Sequence, residues 1–394
     1  MRSSRIVIIG AGVNGCSIAF HLARAGADVV VIDKGAVGAA MTARSGALVR
    51  THYTFPAEAE LAWKSLHYFQ NWAEVVGGDC GFVPTGLAVV VDDTNVERLR
   101  SNVGMLRSLG IDTETVTRAE LLKLQPHLYV DDVAMAAYEP QSGYADPLAT
   151  TRSLADAARR HGARFELGAA VASIDVGGGR ATGVIDESGR RHDGGAVCVV
   201  AGPWTDKLLA PLGVQIGIRA ERAQIAFFRR PAGLRHPVVI DLIAGGYLRP
   251  HGSDLTLVGL GAWKRAPDAD PDAYQESNDD DFIDVVRERL GKRIPEMAAA
   301  HYERGHAGIY DVSPDQRAVL GAARDIAGLY LAAGFSGTGF KTAPAVGASM
   351  AELILDGKSR TVDLTPFRPE RFAQGRPIRG AHEYVMAAGF GHTL

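Results

Sequence analysis

Cysteine is scarce: Cys16, Cys80 and Cys198 are the only three in 394 residues, far apart and without a CxxC pair or metal-ligand spacing. That argues against a disulfide framework, offers no metal site, and fits a reduced compartment. Cys16 in a glycine-rich helix and Cys198 in an apolar strand read as small buried residues. Long apolar runs are also missing; none approaches the roughly 18 residues a membrane helix needs. Charge of one sign is not concentrated either. The formal net charge is −3, and the longest block is Asp279-Asp280-Asp281, so nothing favours nucleic acid or a membrane surface as partner. Arg2 and Arg5 precede an apolar run, as in a signal peptide, but Gly10 ends that run after four residues. The run is needed as the first strand. Repeats and low-complexity segments are absent, and the expectation is a cytoplasmic protein.

What is present is a chain with 46% hydrophobic residues, enough for two closely joined domains. Its organising stretch is Ile6–Lys34. Ile6-Val7-Ile8-Ile9 is short and β-branched, as in a fully buried strand. Gly10-Ala11-Gly12-Val13-Asn14-Gly15 follows, then an apolar-faced helix ending near Gly26, then a second buried strand, Val29–Ile32, closed by Asp33. Gly10 suits the tight turn, Gly12 a close backbone approach to pyrophosphate, and Gly15 the packing of helix on strand. The helix N-terminus offers free N–H groups to phosphate, and Asp33 can accept from ribose hydroxyls. A dinucleotide site follows, with NAD and FAD both open at this point.

Further along, Gly35–Gly46 is a loop of small and polar residues, and Glu58–Val76 has the apolar stripe of a helix. Gly86–Val91 reads as a strand, Asn95–Leu109 as a helix, and Thr117 to Glu120 as a capping box. Gly143–Pro147 reads as a loop before a helix over Leu148–His161. Arg164–Leu167, Val171–Val176, Gly183–Ile185 and Ala196–Val200 form a run of short strands that leads into Ala201-Gly202-Pro203-Trp204. From Ile216 the texture turns to antiparallel strands at Ala223–Phe228, Val238–Leu242, Tyr247–Pro250 and Leu255–Gly259. A helix over Asp279–Leu290 follows. Leu329–Ala332 is a buried strand before Gly334-Phe335-Ser336-Gly337-Thr338-Gly339-Phe340-Lys341, and a helix is expected from about Ala345 to Leu355. Elements of the cofactor type lie at both ends and in the middle, which implies interleaved domains.

Together with Arg180-Ala181-Thr182-Gly183-Val184, Tyr247-Leu248-Arg249-Pro250 and Tyr310-Asp311-Val312-Ser313-Pro314-Asp315, these motifs make the chain resemble the D-amino acid oxidase superfamily of flavoproteins. The likeness runs from Ile6 to about Gly357 and is nearest to the branch of sarcosine oxidases (beta subunits included), sarcosine dehydrogenases and glycine oxidase. It implies an α/β (α+β mixed) fold. A Rossmann-type FAD-binding domain would span 1–85, 145–220 and 310–394, and an interleaved antiparallel-sheet substrate domain 86–144 and 221–309. FAD would be held by Gly10, Gly12, Val13, Asn14, Gly15, Asp33 and Lys34 at its ADP half. Arg44, Ser45, Gly46 and Ala47 would lie against the isoalloxazine and pyrophosphate, Val171 near adenine, and Ala201, Gly202 and Trp204 along the flavin. Gly334 would also bind the cofactor, and Gly337, Thr338, Gly339, Phe340 and Lys341 would sit at the flavin's pyrimidine edge, where donors stabilise developing negative charge. Some relatives attach the flavin through a cysteine seven residues before the aspartate of the Tyr…Pro-Asp motif; that position is Gly308 here. Noncovalent FAD is expected, with a histidine linkage elsewhere still open.

The same resemblance implies oxidation of the C–N bond of an amino acid or N-alkyl amino acid, with hydride passing to flavin N5 and an imine left for hydrolysis. Arg50 and Lys341 match the pair that clamps the substrate carboxylate; the bland alternatives are a structural ion pair and a loop cap. Tyr310 matches a tyrosine bordering the substrate. Tyr247 reads as a second border residue or a core tyrosine. Lys264 aligns loosely with a lysine that promotes oxygen reduction, or is a surface lysine. His52 is a pocket residue or a loop cap. The electron acceptor is oxygen or another acceptor. Oxidation of a 2-hydroxy acid, and a flavin subunit within a homo- or hetero-oligomer, remain the rival readings.

Overall fold

The computed structural model describes residues 5–261 and 268–385. Its first sheet has six strands, ordered Val319–Ala322, Leu329–Ala333, Ala196–Val199, Ile6–Ile9, Val29–Asp33 and Arg164–Leu167. All neighbours run parallel except the first pair. The strands read as unbroken apolar runs because both faces are covered. Ile6, Ile8, Val29 and Val31 face a core shared with the helices Val13–Arg24, Pro147–Arg160 and Gly339–Asp356. Val7, Ile9, Val30 and Ile32 face the opposite core, with Ile174, Ala181 and Val184 of a small antiparallel sheet.

That small sheet comprises only Val171–Gly177, Arg180–Asp186 and Arg191–Asp193. The expected run of short strands is therefore split. Arg164–Leu167 pairs in parallel with Val29–Asp33, and Ala196–Val199 in parallel with Ile6–Ile9. Each enters the parallel sheet from a crossover, which periodicity within a strand cannot reveal.

The second sheet has eight strands, ordered Tyr302–Val312, Arg219–Arg229, Leu255–Leu260, Gly246–His251, Val238–Asp241, Leu87–Val91, Met135–Glu139 and Glu114–Thr117. It is antiparallel apart from one parallel pairing of Val238–Asp241 with Leu87–Val91, where the chain returns after its long excursion through the first sheet. Helix Asp280–Arg293 covers one face, through Phe282, Val286 and Leu290. Tyr302–Val312 escapes sequence reading because it is a polar edge strand carrying Glu303, Arg304 and His306.

Other differences are local. The helix expected over Glu58–Val76 is two, Pro56–Gln70 and Trp72–Val75, broken at Asn71. Gly143–Tyr144, expected as loop, pairs with Leu48–Val49. Helix Pro147–Arg160 starts with proline at its first position, capped by Asp146, whose carboxylate accepts from Ala149 N at 2.7 Å. The Thr117–Glu120 capping box is present. Helix Gly339–Asp356 begins well before Ala345 despite Pro344 in its interior. The buried Ser65 hydroxyl repairs the interruption, accepting from Ala345 N and donating to Thr342 O, both at 3.0 Å. No helix among the described residues is long and apolar enough to cross a membrane.

Candidate active site

A cavity of about 1220 Å³ runs from the first turn of the chain to the inner face of the eight-stranded sheet. It exceeds the range usual for one small ligand, roughly 300–1,000 Å³. One end is built from backbone. Gly10 sits at φ +112°, and a Cβ there would come within 2.3 Å of Val200 O; one on Gly15 would come within 1.9 Å of Gly10 O. Only glycine permits this turn, so the N-terminus of Val13–Arg24 opens into the cavity with no acidic residue in its first turn. Asp33 ends the second strand, its carboxylate accepting from Ala11 N at 2.6 Å and Gly35 N at 2.7 Å.

Gly10, Gly12, Val13, Asn14, Asp33, Lys34, Arg44, Ser45, Gly46, Ala47, Val171, Ala201, Gly202 and Trp204 all line this cavity, as do Gly337, Thr338, Gly339, Phe340 and Lys341. Two residues anticipated as cofactor ligands lie behind it. Gly15 is the packing point of turn on helix, and Gly334, at φ +64°, lies against Ser313, whose Cβ would be 2.9 Å from an added methyl. Asn14 Nδ2 donates to Gly339 O at 3.2 Å, tying the first glycine turn to the distant second one. Lys34 pairs with Asp272, and its Nζ sits 3.8 Å from the Trp204 ring centroid. Arg44 pairs with Glu276 at 2.6 Å.

Sequence reasoning missed several wall residues. Thr42 accepts from Val13 N at 3.2 Å. Glu187 and Ser188 stand beside Val171 at the nucleotide end. Asp311 accepts from Phe335 N at 3.2 Å, and burial pushes its carboxyl up to about 6. Its place directly after Tyr310 was the available signal.

The other end of the cavity is built from side chains. Arg50 is 5% exposed and Lys341 6%. Neither has a carboxylate within ion-pair distance among the described residues. Arg50 donates from Nη1 to His52 O, and its guanidinium lies 4.0 Å from the Tyr53 ring centroid. Lys341 Nζ reaches Gly337 O at 3.4 Å. Burial, and then the neighbouring Arg50 charge, hold the Lys341 ammonium well below its ordinary range. Tyr310 lies beside Gly337 and is hydrogen-bonded to Tyr247, whose phenol is raised by burial and by Tyr310. Tyr247 fits against Gly259, where a Cβ would come within 2.3 Å of its ring. Leu48, Ile225 and Ile240 complete an apolar wall.

His52 is not on the wall. It is fully buried behind Arg50 with Nε2 hydrogen-bonded to the Tyr384 hydroxyl at 2.7 Å, and burial lowers its pKa to about 3. Lys264 lies outside the described residues.

A dinucleotide cradle joined to a side-chain pocket, with two helix N-termini aimed into one cavity, defines a nucleotide-dependent oxidoreductase. The chain belongs to the FAD dependent oxidoreductase (DAO) family, whose pattern matches residues 5–353, and FAD is its cofactor. It is similar to FAD-dependent oxidoreductase domain-containing protein 1 of Bos taurus, 27% identical over 94% of this chain and 85% of that protein. It is similar to mitochondrial sarcosine dehydrogenase of Mus musculus, 25% identical over 96% of this chain but only 42% of that protein. Among solved structures, L-proline dehydrogenase from P. horikoshii superposes with a TM-score of 0.89 at 28% identity, covering 96% of this chain and all of that one.

Proposed function

We propose that this protein oxidises the C–N bond of an amino acid or N-alkyl amino acid, giving an imine that hydrolyses. The observation that carries the reading is the pair of buried basic groups, Arg50 and Lys341, on one cavity wall with no carboxylate within ion-pair distance among the described residues, Glu139 and Glu58 acting on them only from farther off. Buried charge without a direct ion pair is costly, and an incoming carboxylate would supply that contact to both. The sarcosine and L-proline dehydrogenases named above point to the same substrate class by their names.

The flavin, when bound, supplies the two-electron acceptor. The chain supplies the rest. Arg50 offers a planar fork and Lys341 a mobile point charge, fixing the carboxylate and so the facing of the substrate's Cα–H bond. The Leu48, Ile225 and Ile240 wall excludes water. Positive charge concentrated at the clamp disfavours an ammonium and so promotes the neutral amine that reacts. The Tyr247–Tyr310 pair borders the substrate. Gly308 offers no thiol at the position of cysteine attachment, which supports FAD held without a cysteine linkage.

The test is anaerobic mixing of the yellow holoprotein with primary amino acids, N-methyl amino acids, proline and 2-hydroxy acids. Bleaching by amino acids supports the reading, whereas bleaching by 2-hydroxy acids alone overturns it. Hydrogen peroxide formed in air then separates oxidase from dehydrogenase, and turnover by the isolated chain excludes an obligate partner subunit.

A further inference from the structure

The C-terminal segment beyond the family match, residues 354–394, is spent partly on something other than a tail. Its described part doubles back across the molecule. Arg371 grips Asp315 with two hydrogen bonds of 2.8 Å, and Ile378 N donates to the same carboxylate at 2.8 Å. At Gly380 the chain passes so close to Thr54 that a Cβ would come within 2.4 Å of its hydroxyl oxygen. Asn102 Nδ2 donates to His382 O at 2.9 Å, and Asn95 exchanges two bonds with the Val385 backbone, at 2.9 and 2.8 Å.

These anchors deliver Tyr384 to the rear of the cation pair. Its ring packs in the apolar cluster that holds Leu48 and Ile240, and stacks on His52 at 5.9 Å with planes 24° apart. Its hydroxyl is hydrogen-bonded to His52 Nε2 at 2.7 Å. The His52 carbonyl in turn takes the Arg50 guanidinium. On the intervening residue, Thr51 N and Oγ1 donate to the buried Glu139 carboxylate at 3.0 and 2.7 Å. The Arg50–His52 segment is thus gripped from two sides, by Glu139 of the eight-stranded sheet and by Tyr384 of the tail.

We propose that Tyr384 is a positioning residue for the substrate carboxylate, holding His52 and through it the guanidinium of Arg50. This rests on the reading of Arg50 and Lys341 as a carboxylate clamp. A charge-assisted fork requires its angle to be fixed, and Arg50 reaches no side-chain acceptor within the described residues that would fix it instead.

The test uses the FAD-loaded full chain and the unreactive carboxylates acetate and benzoate, read by the perturbation of flavin absorption, with acetamide and benzamide as uncharged controls. Tyr384→Phe removes only the hydroxyl, which meets the Asn102 side chain as well as His52, and should weaken both carboxylates about 5- to 20-fold, as for loss of buried hydrogen bonding, while amide binding and flavin content stay unchanged. Asn95→Ala releases the neighbouring tail anchor without touching His52 and should leave carboxylate binding within about twofold. Equal carboxylate affinity in Tyr384→Phe and wild type overturns the proposal. So does equal weakening of carboxylates and amides, or an Asn95→Ala loss as large as that of Tyr384→Phe, since either marks tail docking alone. Wild-type protein that perturbs its flavin equally with acetate and acetamide overturns the clamp reading itself, and this inference with it.

Discussion

The two ends of the cavity are built on different principles. The nucleotide end is local and made of backbone: a strand, a glycine turn, a helix and Asp33, all within Ile6–Asp33. The end read as the substrate's is non-local and made of side chains: Tyr247 and Tyr310 come from two strands of the eight-stranded sheet, Arg50 from the segment after Leu48–Val49, and Lys341 from the first turn of helix Gly339–Asp356. At Gly10 and Gly15 the backbone turn leaves no room for an added Cβ. A side-chain pocket can lose a group and keep its shape. The difference predicts that damage at one end abolishes flavin binding, while damage at the other leaves a yellow protein that binds substrate poorly.

The largest effect is expected at Gly10. Gly10→Val forces a β-branched residue into φ +112° and against Val200 O, and should purify without flavin. Retention of stoichiometric FAD would break the comparison. Next, Arg50→Met should stay yellow while its KM for an amino acid rises about 10²-fold, the loss of a charge-assisted bidentate contact. Loss of flavin there would show that the two ends are not separable.

Sequence alone made the first end legible and the second only in part. Every feature of Ile6–Asp33 announces itself through period and glycine spacing. By contrast, nothing near Arg50 shows that Glu139 and Tyr384 hold its segment, because those contacts span 88 and 332 residues. His52, a pocket residue or a loop cap on sequence grounds, is instead buried in the core against Tyr384. Sequence places the start of helix Gly339–Asp356 only near Ala345, since Ser65, which mends the break at Pro344, lies 280 residues from Ala345. Polar edge strands such as Tyr302–Val312 carry no alternation to detect.

A smaller effect separates the two cations by pH. Lys341 is held below the ordinary lysine range, so its charge is lost as pH rises, sooner than for an exposed lysine. Carboxylate affinity should therefore fall with rising pH in wild type, and Lys341→Met should show weaker but pH-independent binding. A parallel slope in the variant would assign the titration elsewhere. The smallest effect belongs to the rim. Lys34 and Asp272 are each nearly half exposed in their side chains, and Asp272→Asn should change flavin affinity by less than about fivefold, as surface pairs do. Flavin loss would move that pair into the cradle.

The central claim is that the far end of the cavity exists to hold a carboxylate. The most direct measurement compares anaerobic flavin reduction by an amino acid that proves to be a substrate with reduction by its own carboxamide, at matched concentrations of neutral amine. For the amide, kcat/KM should be about 10²-fold lower, with the difference nearly erased in Arg50→Met. Equal reduction by acid and amide in the wild-type protein would contradict it.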